Sequence, residues 1–141
     1  MPDPAGRYID LAFLQKFWGA RQVDAWADSD ADGLRGAADD DVIQEAIDDA
    51  EDDVDAALAS AYAVPFAAPA PRMVRKVARL RAGVYLYGRR GLRDGADPAG
   101  QMRGWLEISD RLLADLRAGR LNLPGVPRRA GSAVLRPPRE E

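Results

Sequence analysis

The stretch Asp39 to Tyr62, DDDVIQEAIDDAEDDVDAALASAY, constrains the chain more than any other. Ile43, Ile47, Ala50, Val54, Ala57 and Ala61 recur at steps of four and three, which sets them on one stripe of an α-helix. Val42, Ala46 and Leu58 widen the stripe, and Glu45, Asp48, Asp49, Asp52 and Asp55 fall on the other side. Asp39 is the expected N-cap, with Asp40 and Asp41 in the first turn, where the helix dipole favours negative charge. About 24 residues at roughly 1.5 Å each make a rod of about 36 Å. The other apolar segments are expected to cover its apolar face.

Those segments also read as helices. Ile9 to Trp18 has Asp10 as N-cap, Ile9 and Leu14 placed as a hydrophobic staple, and Gly19 as its stop. Leu11, Leu14, Phe17 and Trp18 should face the core, and Val23 and Trp26 suggest one more helical turn. After the long helix, Pro65, Pro69 and Pro71 exclude helix from AVPFAAPAP and favour an extended crossover anchored by Phe66. From Pro71 to about Tyr87, Met73, Val77, Leu80, Val84 and Tyr87 form an expected buried stripe. Arg72, Arg75, Lys76 and Arg79 fall opposite it, and Arg81, at its edge, should be paired or at an interface. Gly88 to Gly95 reads as a basic loop. Asp97-Pro98 then supplies an N-cap and first-turn Pro for a last helix that Gly119 ends. Met102, Trp105, Leu106, Leu112, Leu113 and Leu116 are its inward residues.

The segment from Arg120 to Glu141 has four prolines, five arginines and no helical stripe. Such a segment orders only against something else, and Leu121, Leu123, Val126, Val134 and Leu135 are its candidate anchors. The expected fold is therefore all-α: a helical domain over residues 1–119, a compact bundle of about four helices, followed by an extended Pro/Arg-rich C-terminal arm over 120–141.

Composition narrows the chemistry. The 141 residues include no His and no Cys, which removes the usual general base, the commonest metal ligand and any thiol. There is no Thr, and Ser and Lys are sparse. No nucleophile elbow or GxxxxGK[ST] phosphate loop is present, so neither an enzyme nor a cofactor is expected. No apolar run is long enough to span a membrane, and MPDPAGRYID lacks the pattern of a signal peptide. The net charge of −3 conceals a strong polarity. Residues 24–55 carry −13 and residues 72–139 carry +11. These two lobes either neutralise each other within the fold or meet acid to base between copies.

Asp28, Asp30, Asp32 and Gly33 match the first, third, fifth and sixth positions of a calcium loop. The match fails at Arg35, in an apolar position, and at Asp39, where a longer Glu is needed. No metal site is assigned. A calcium-responsive module and a small nucleic-acid-binding helical protein are the alternative readings.

VDAALASAYAVPF, APAPRMVRKVARLRAGVYLY and WLEISDRLLADLRAGRLNL together resemble the small head–tail connector proteins (adaptor or head completion) of Mu-like phages and prophages. YIDLAFLQKFWG fits as well, so the resemblance covers about residues 8–123. Ala61 stands where relatives often carry Arg before the Tyr. The resemblance implies a structural virion protein of the neck. It would form a ring, usually twelve-fold, between the portal protein and a tail-side stopper or tail terminator protein. Phage DNA would pass through the lumen without sequence-specific contact, and no membrane would be involved. Candidate partner-facing residues are Arg72, Arg75 and Arg79 on the basic helix, Arg89 and Arg90 after it, and Asp48 and Asp52 on the acidic face. Leu121, Leu123, Arg128, Arg129 and Arg136 of the arm complete the set.

Overall fold

The computed structural model describes residues 3–28, 36–91 and 100–129. Among them lie five helices: α1 (Leu11–Trp18), α2 (Ala20–Ala27), α3 (Ala37–Leu58), α4 (Arg72–Gly91) and α5 (Gln101–Ala118). No strand forms among the described residues; a single bridge pairs Ala5 with Asp10. The all-α reading holds, with five helices in place of about four. Gly19 makes the difference. Its φ of 92° is open to glycine and closed to most side chains, so α1 stops there. Its N–H donates to the Gln15 carbonyl at 2.7 Å, and its own carbonyl accepts from Val23 at 3.0 Å. One residue thus closes α1 and opens α2, and Val23 and Ala27 reach the core along a new axis.

α3 and α4 are the central pair. α5 packs along α4 and α3, and α1 and α2 lie over α4. The α3 stripe is buried nearly as its spacing demands: Val42, Ile43, Ala46, Ile47, Ala50, Val54 and Leu58 all face the core. The ends of α3 differ from expectation. Gly36 is the N-cap, and Asp39, at the third helical position, accepts from the Gly36 N–H at 3.1 Å. An acid there satisfies an amide left open at the helix start while staying in the favourable dipole field. The helix ends at Leu58, whose carbonyl accepts from Ala61 and Tyr62 in a closing turn.

The crossover to α4 is non-helical, with cis peptides before Pro65 and Pro69, and Phe66 is buried in it. Along α4 the fully buried apolar side chains are Val74, Val77, Ala78, Leu80, Ala82 and Leu86. Met73, Val84 and Tyr87, expected inside, are only half-buried. The buried face is rotated because α4 is covered from three sides, by α3, by α5 and by the α1–α2 pair. α5 ends at Gly119 in the left-handed region, φ 85°, as its sequence requires. Asp97 and Pro98, the expected start of that helix, lie outside the described residues.

The chain then returns to the bundle instead of leaving it. Leu123 is buried at 3 % exposure, and Leu121 and Val126 pack beside it. The Arg129 N–H donates to the Ala61 carbonyl at 2.8 Å. Residues 120–129 therefore belong to the helical domain, because their apolar side chains find the open end of the α3–α5 core. Arg136 and the rest of the expected arm lie outside the described residues.

Candidate protein interaction surfaces

The N-terminal loop is held by one buried carboxylate. Glu51 lies on α3 at 1 % exposure, inside the apolar stripe. It accepts backbone N–H bonds from Arg7 at 2.7 Å, Tyr8 at 2.8 Å and Ile9 at 3.0 Å. The Arg7 guanidinium stands 3.8 Å away and pairs with Asp52 at 2.9 Å and Asp55 at 3.3 Å. Three amide donors and a nearby cation replace the water this charge has lost. Gly6 belongs to the same arrangement, because a Cβ there would overlap the Glu51 carboxylate.

Tyr8 ties four segments together at this point. Its hydroxyl donates to Asp55 of α3 at 2.5 Å and accepts from the Phe66 N–H of the crossover at 3.1 Å. Its carbonyl accepts from Arg75 Nε of α4 at 2.9 Å. Burial, and then the adjacent Asp55, push the phenol pKa from 10.0 up to about 12. The raised value favours the neutral phenol in the folded state. Its stabilising contribution is complete below the unfolded value near 10 and is lost as pH climbs through about 12. None of the four tyrosines is exposed, and the Tyr85 pKa is raised too, by burial and then by Asp53. An ultraviolet titration should therefore show tyrosine ionisation running late and together with unfolding, and Tyr8→Phe should diminish the part of it near pH about 12.

Arg81 is paired, as its place at the edge of the apolar face suggests. Its guanidinium donates to Asp53 of α3 at 3.1 Å, and to Asp110 and Ser109 of α5, the latter at 3.0 Å. It also meets the Tyr85 hydroxyl, which donates in turn to Asp53. Burial opposes the charge, but the hydrogen bonds to Asp110, Tyr85 and Asp53 outweigh it, so the Arg81 pKa is raised. Ser109 is fully buried and its hydroxyl donates to the Leu106 carbonyl at 2.8 Å. Arg81→Met should cost about 1–2 kcal/mol in denaturant unfolding, because Asp53 and Asp110 keep access to water.

A basic ledge lies on the α1 side of α4. The Arg75 and Arg79 guanidiniums each stand 4.1 Å from the Phe13 ring centroid, and Arg79 also lies 4.9 Å from that of Phe17. Arg72 and Lys76 are exposed beside them, and Lys16 of α1 is exposed as well. Burial, then the neighbouring Arg75 charge, lower the Arg79 pKa. The Nε of Arg79 is buried without a hydrogen-bond partner. No carboxylate among the described residues pairs with Arg72, Arg75, Lys76 or Arg79.

Beneath the ledge is an aromatic cluster around Trp18, which contacts Phe17, Trp26 and Trp105 with centroids 4.8 to 6.0 Å apart, all edge to face. The Trp18 indole N–H donates to the Arg79 carbonyl at 3.0 Å. Trp105, expected in the core, is half-buried in this cluster, and Phe17 is 38 % exposed at its rim.

The outer face of α3 is the acidic counterpart. Asp41, Glu45, Asp48, Asp49 and Asp52 are all exposed there. Asp48 accepts from the Gln44 side chain at 2.9 Å, and Asp52 pairs with Arg7 while remaining 69 % exposed. Burial, then the carboxylates of Glu45, Asp53, Asp52 and Asp48, raise the Asp49 pKa, the sign expected of crowded like charge.

The remaining candidates divide. Arg128 turns inward: its guanidinium donates to the Leu116 and Arg117 carbonyls at 3.0 and 2.9 Å and caps α5. Arg129 donates to the Ala59 carbonyl at 2.9 Å and caps α3. Leu123 is core and Leu121 half-buried beside it. These four serve the fold of their own chain. The side chains of Arg89 and Arg90 lie outside the described residues, as does Arg136. Residues 29–35, most of the partial calcium loop, also lie outside them. Of that loop's outer positions, Asp39 is buried and already holds Gly36, and Asp28 is the C-cap residue of α2.

Two open grooves lie among the described residues. One, of about 280 Å³ between α3 and α5, is lined by Asp53, Arg81, Asp110 and Arg117. The other, of about 260 Å³ between α3 and α4, is lined by Val42, Glu45, Asp49, Tyr85 and Leu86. No helix among the described residues is long and apolar enough to cross a membrane.

These features define a small helical protein with two exposed faces of opposite charge and an ion-paired interior. The chain belongs to the bacteriophage Mu Gp36 family, whose model matches residues 8–133. It is thus a Mu-like phage protein, and the family points to a structural or assembly role. No curated protein and no solved structure matches it.

Proposed function

We propose that this chain is a head–tail connector, a structural neck protein that acts by binding and not by catalysis. It would form a ring, twelve-fold where it follows the portal, with the portal protein on one side and a tail-side stopper or terminator on the other. DNA would pass through the ring without being read. The observation that carries this reading is the family match over residues 8–133, nearly the whole helical domain. The two charged faces support it, because a subunit of a ring needs two different surfaces that fit each other. Assembly at the head–tail junction would follow synthesis in the host cytoplasm, and neither cofactor nor membrane enters the proposal.

Quantitative mass spectrometry on gradient-purified particles tests it. A fixed ratio near that of the portal is the expected result. Absence from the particles would overturn the connector role in the mature virion and leave a transient assembly factor.

A further inference from the structure

The charge polarity of the sequence has two possible outcomes, and the fold distinguishes them. α3 and α4 pack directly on each other. Among the described residues, Arg72, Arg75, Lys76 and Arg79 pair with no acid of α3, and Arg81 meets Asp53 at the helix–helix seam. The basic rank points toward α1, where it stacks on Phe13 and Phe17. Among the described residues neither Asp41 nor Asp49 has a cationic partner, and the basic rank has no acidic one. Asp41, Asp49 and the four cations of the ledge thus carry charge that no described residue of the same chain neutralises.

The spacings match. Arg72 and Arg79 stand seven residues apart along α4, and Asp41 and Asp48 stand seven apart along α3. Both pairs therefore mark a stripe of about 10 Å on one side of a helix, at roughly 1.5 Å per residue. Two such stripes laid side by side bring each cation against a carboxylate. Arg79 is already partly dehydrated, with a buried Nε that no group of its own chain satisfies. Its planar donor array, held on the Phe13 ring, is positioned for an arriving carboxylate.

We propose that the basic ledge of α4 is the docking surface for a second copy of this chain, which inserts the acidic outer face of its α3. The contact is head to tail. Each copy offers its ledge to one neighbour and its α3 to the other, and such a contact closes into a ring when the rotation permits. The proposal rests on the ring reading above and assigns the surfaces that make it.

The test uses two neutral variants of the full chain. In one, Asp41, Asp48 and Asp49 are each replaced by Asn; in the other, Arg72 and Lys76 are each replaced by Gln. Circular dichroism confirms folding, and native mass spectrometry with sedimentation at low salt reads the assemblies. Wild type is expected to form oligomers that weaken at least about tenfold when salt is raised to about 0.5 M. Each variant alone should be monomeric. Mixed, they should form a one-to-one dimer and nothing larger, because the pair retains one working contact.

Either variant assembling alone as wild type does would overturn this docking while leaving the ring reading intact, since another surface would then close the ring. A wild type that stays monomeric at low salt and high concentration would also overturn it. Particle composition would decide the connector role separately. Duplex DNA binding that the Arg72/Lys76 variant loses, with self-association unchanged, would show that the ledge serves nucleic acid and would overturn the proposal as well.

Discussion

Glu51→Gln is expected to destabilise the domain by about 3–5 kcal/mol, a large fraction of the about 5–15 kcal/mol that holds a domain of this size folded. The change keeps the shape and removes the charge. One carboxylate oxygen becomes an NH₂ that faces donors. Of the three amides now bonded to the carboxylate, Tyr8 and Ile9 share Oε2 and Arg7 takes Oε1, so at least one amide loses its acceptor whichever way the new side chain turns. A buried unsatisfied group costs about 1–3 kcal/mol, and the lost attraction to Arg7 adds to it. Urea unfolding measures the change, with Asp41→Asn on the exposed face as a control expected to stay within about 0.5 kcal/mol. Equal effects in the two variants would refute a special role for Glu51. The loss should also reach the basic ledge. Tyr8 sits between Glu51 and Arg75, so a loosened loop releases the carbonyl that holds the Arg75 Nε.

Glu51 shows where reading the chain falls short. The long helix and its buried stripe are legible, because apolar residues at steps of three and four leave little choice of face. Glu51 itself follows the rhythm of that stripe, four after Ile47 and three before Val54, and that rhythm is the one signal that it lies inside. The surrounding run of acids hides it, since most of its neighbours are solvated. Its partners are 42 to 44 residues away in a loop with no pattern of its own. Arg81 is legible for the opposite reason. A long cation at the border of an apolar face needs a partner, and the acidic helix offers many. The capping of helix ends by Arg128 and Arg129 has no sequence signal at all. Their acceptors are backbone carbonyls at the ends of α5 and α3, which every helix possesses. The candidate surface was legible in part: Arg72, Arg75, Arg79, Asp48 and Asp52 lie on the two charged faces, although Arg75 and Arg79 are half-buried against aromatics that composition could not position.

Gly83→Ala should destabilise the protein by about 2 kcal/mol or more, although the same change in a helix interior ordinarily stabilises by up to about 1 kcal/mol. The reversal comes from Trp18. Gly83 lies within α4 and is fully buried, and a Cβ there would fall inside contact distance of the indole ring. The ring is held from the other side by Trp26, Trp105 and Phe17 and by its N–H bond to the Arg79 carbonyl. Moving it away from α4 would therefore disturb those contacts. Gly104 on α5 is the internal comparison, because a Cβ there meets nothing within 4 Å. Gly104→Ala should be neutral or stabilising by up to about 1 kcal/mol. Thermal and denaturant unfolding of the two variants should therefore move in opposite directions, with tryptophan fluorescence changing for the first. In a Trp18→Leu background the cost of Gly83→Ala should shrink, since the clash is with the ring and not with α4 itself. Equal shifts for both glycines, or a cost unchanged without Trp18, would show that the close approach of α1 to α4 is not what fixes glycine at this position.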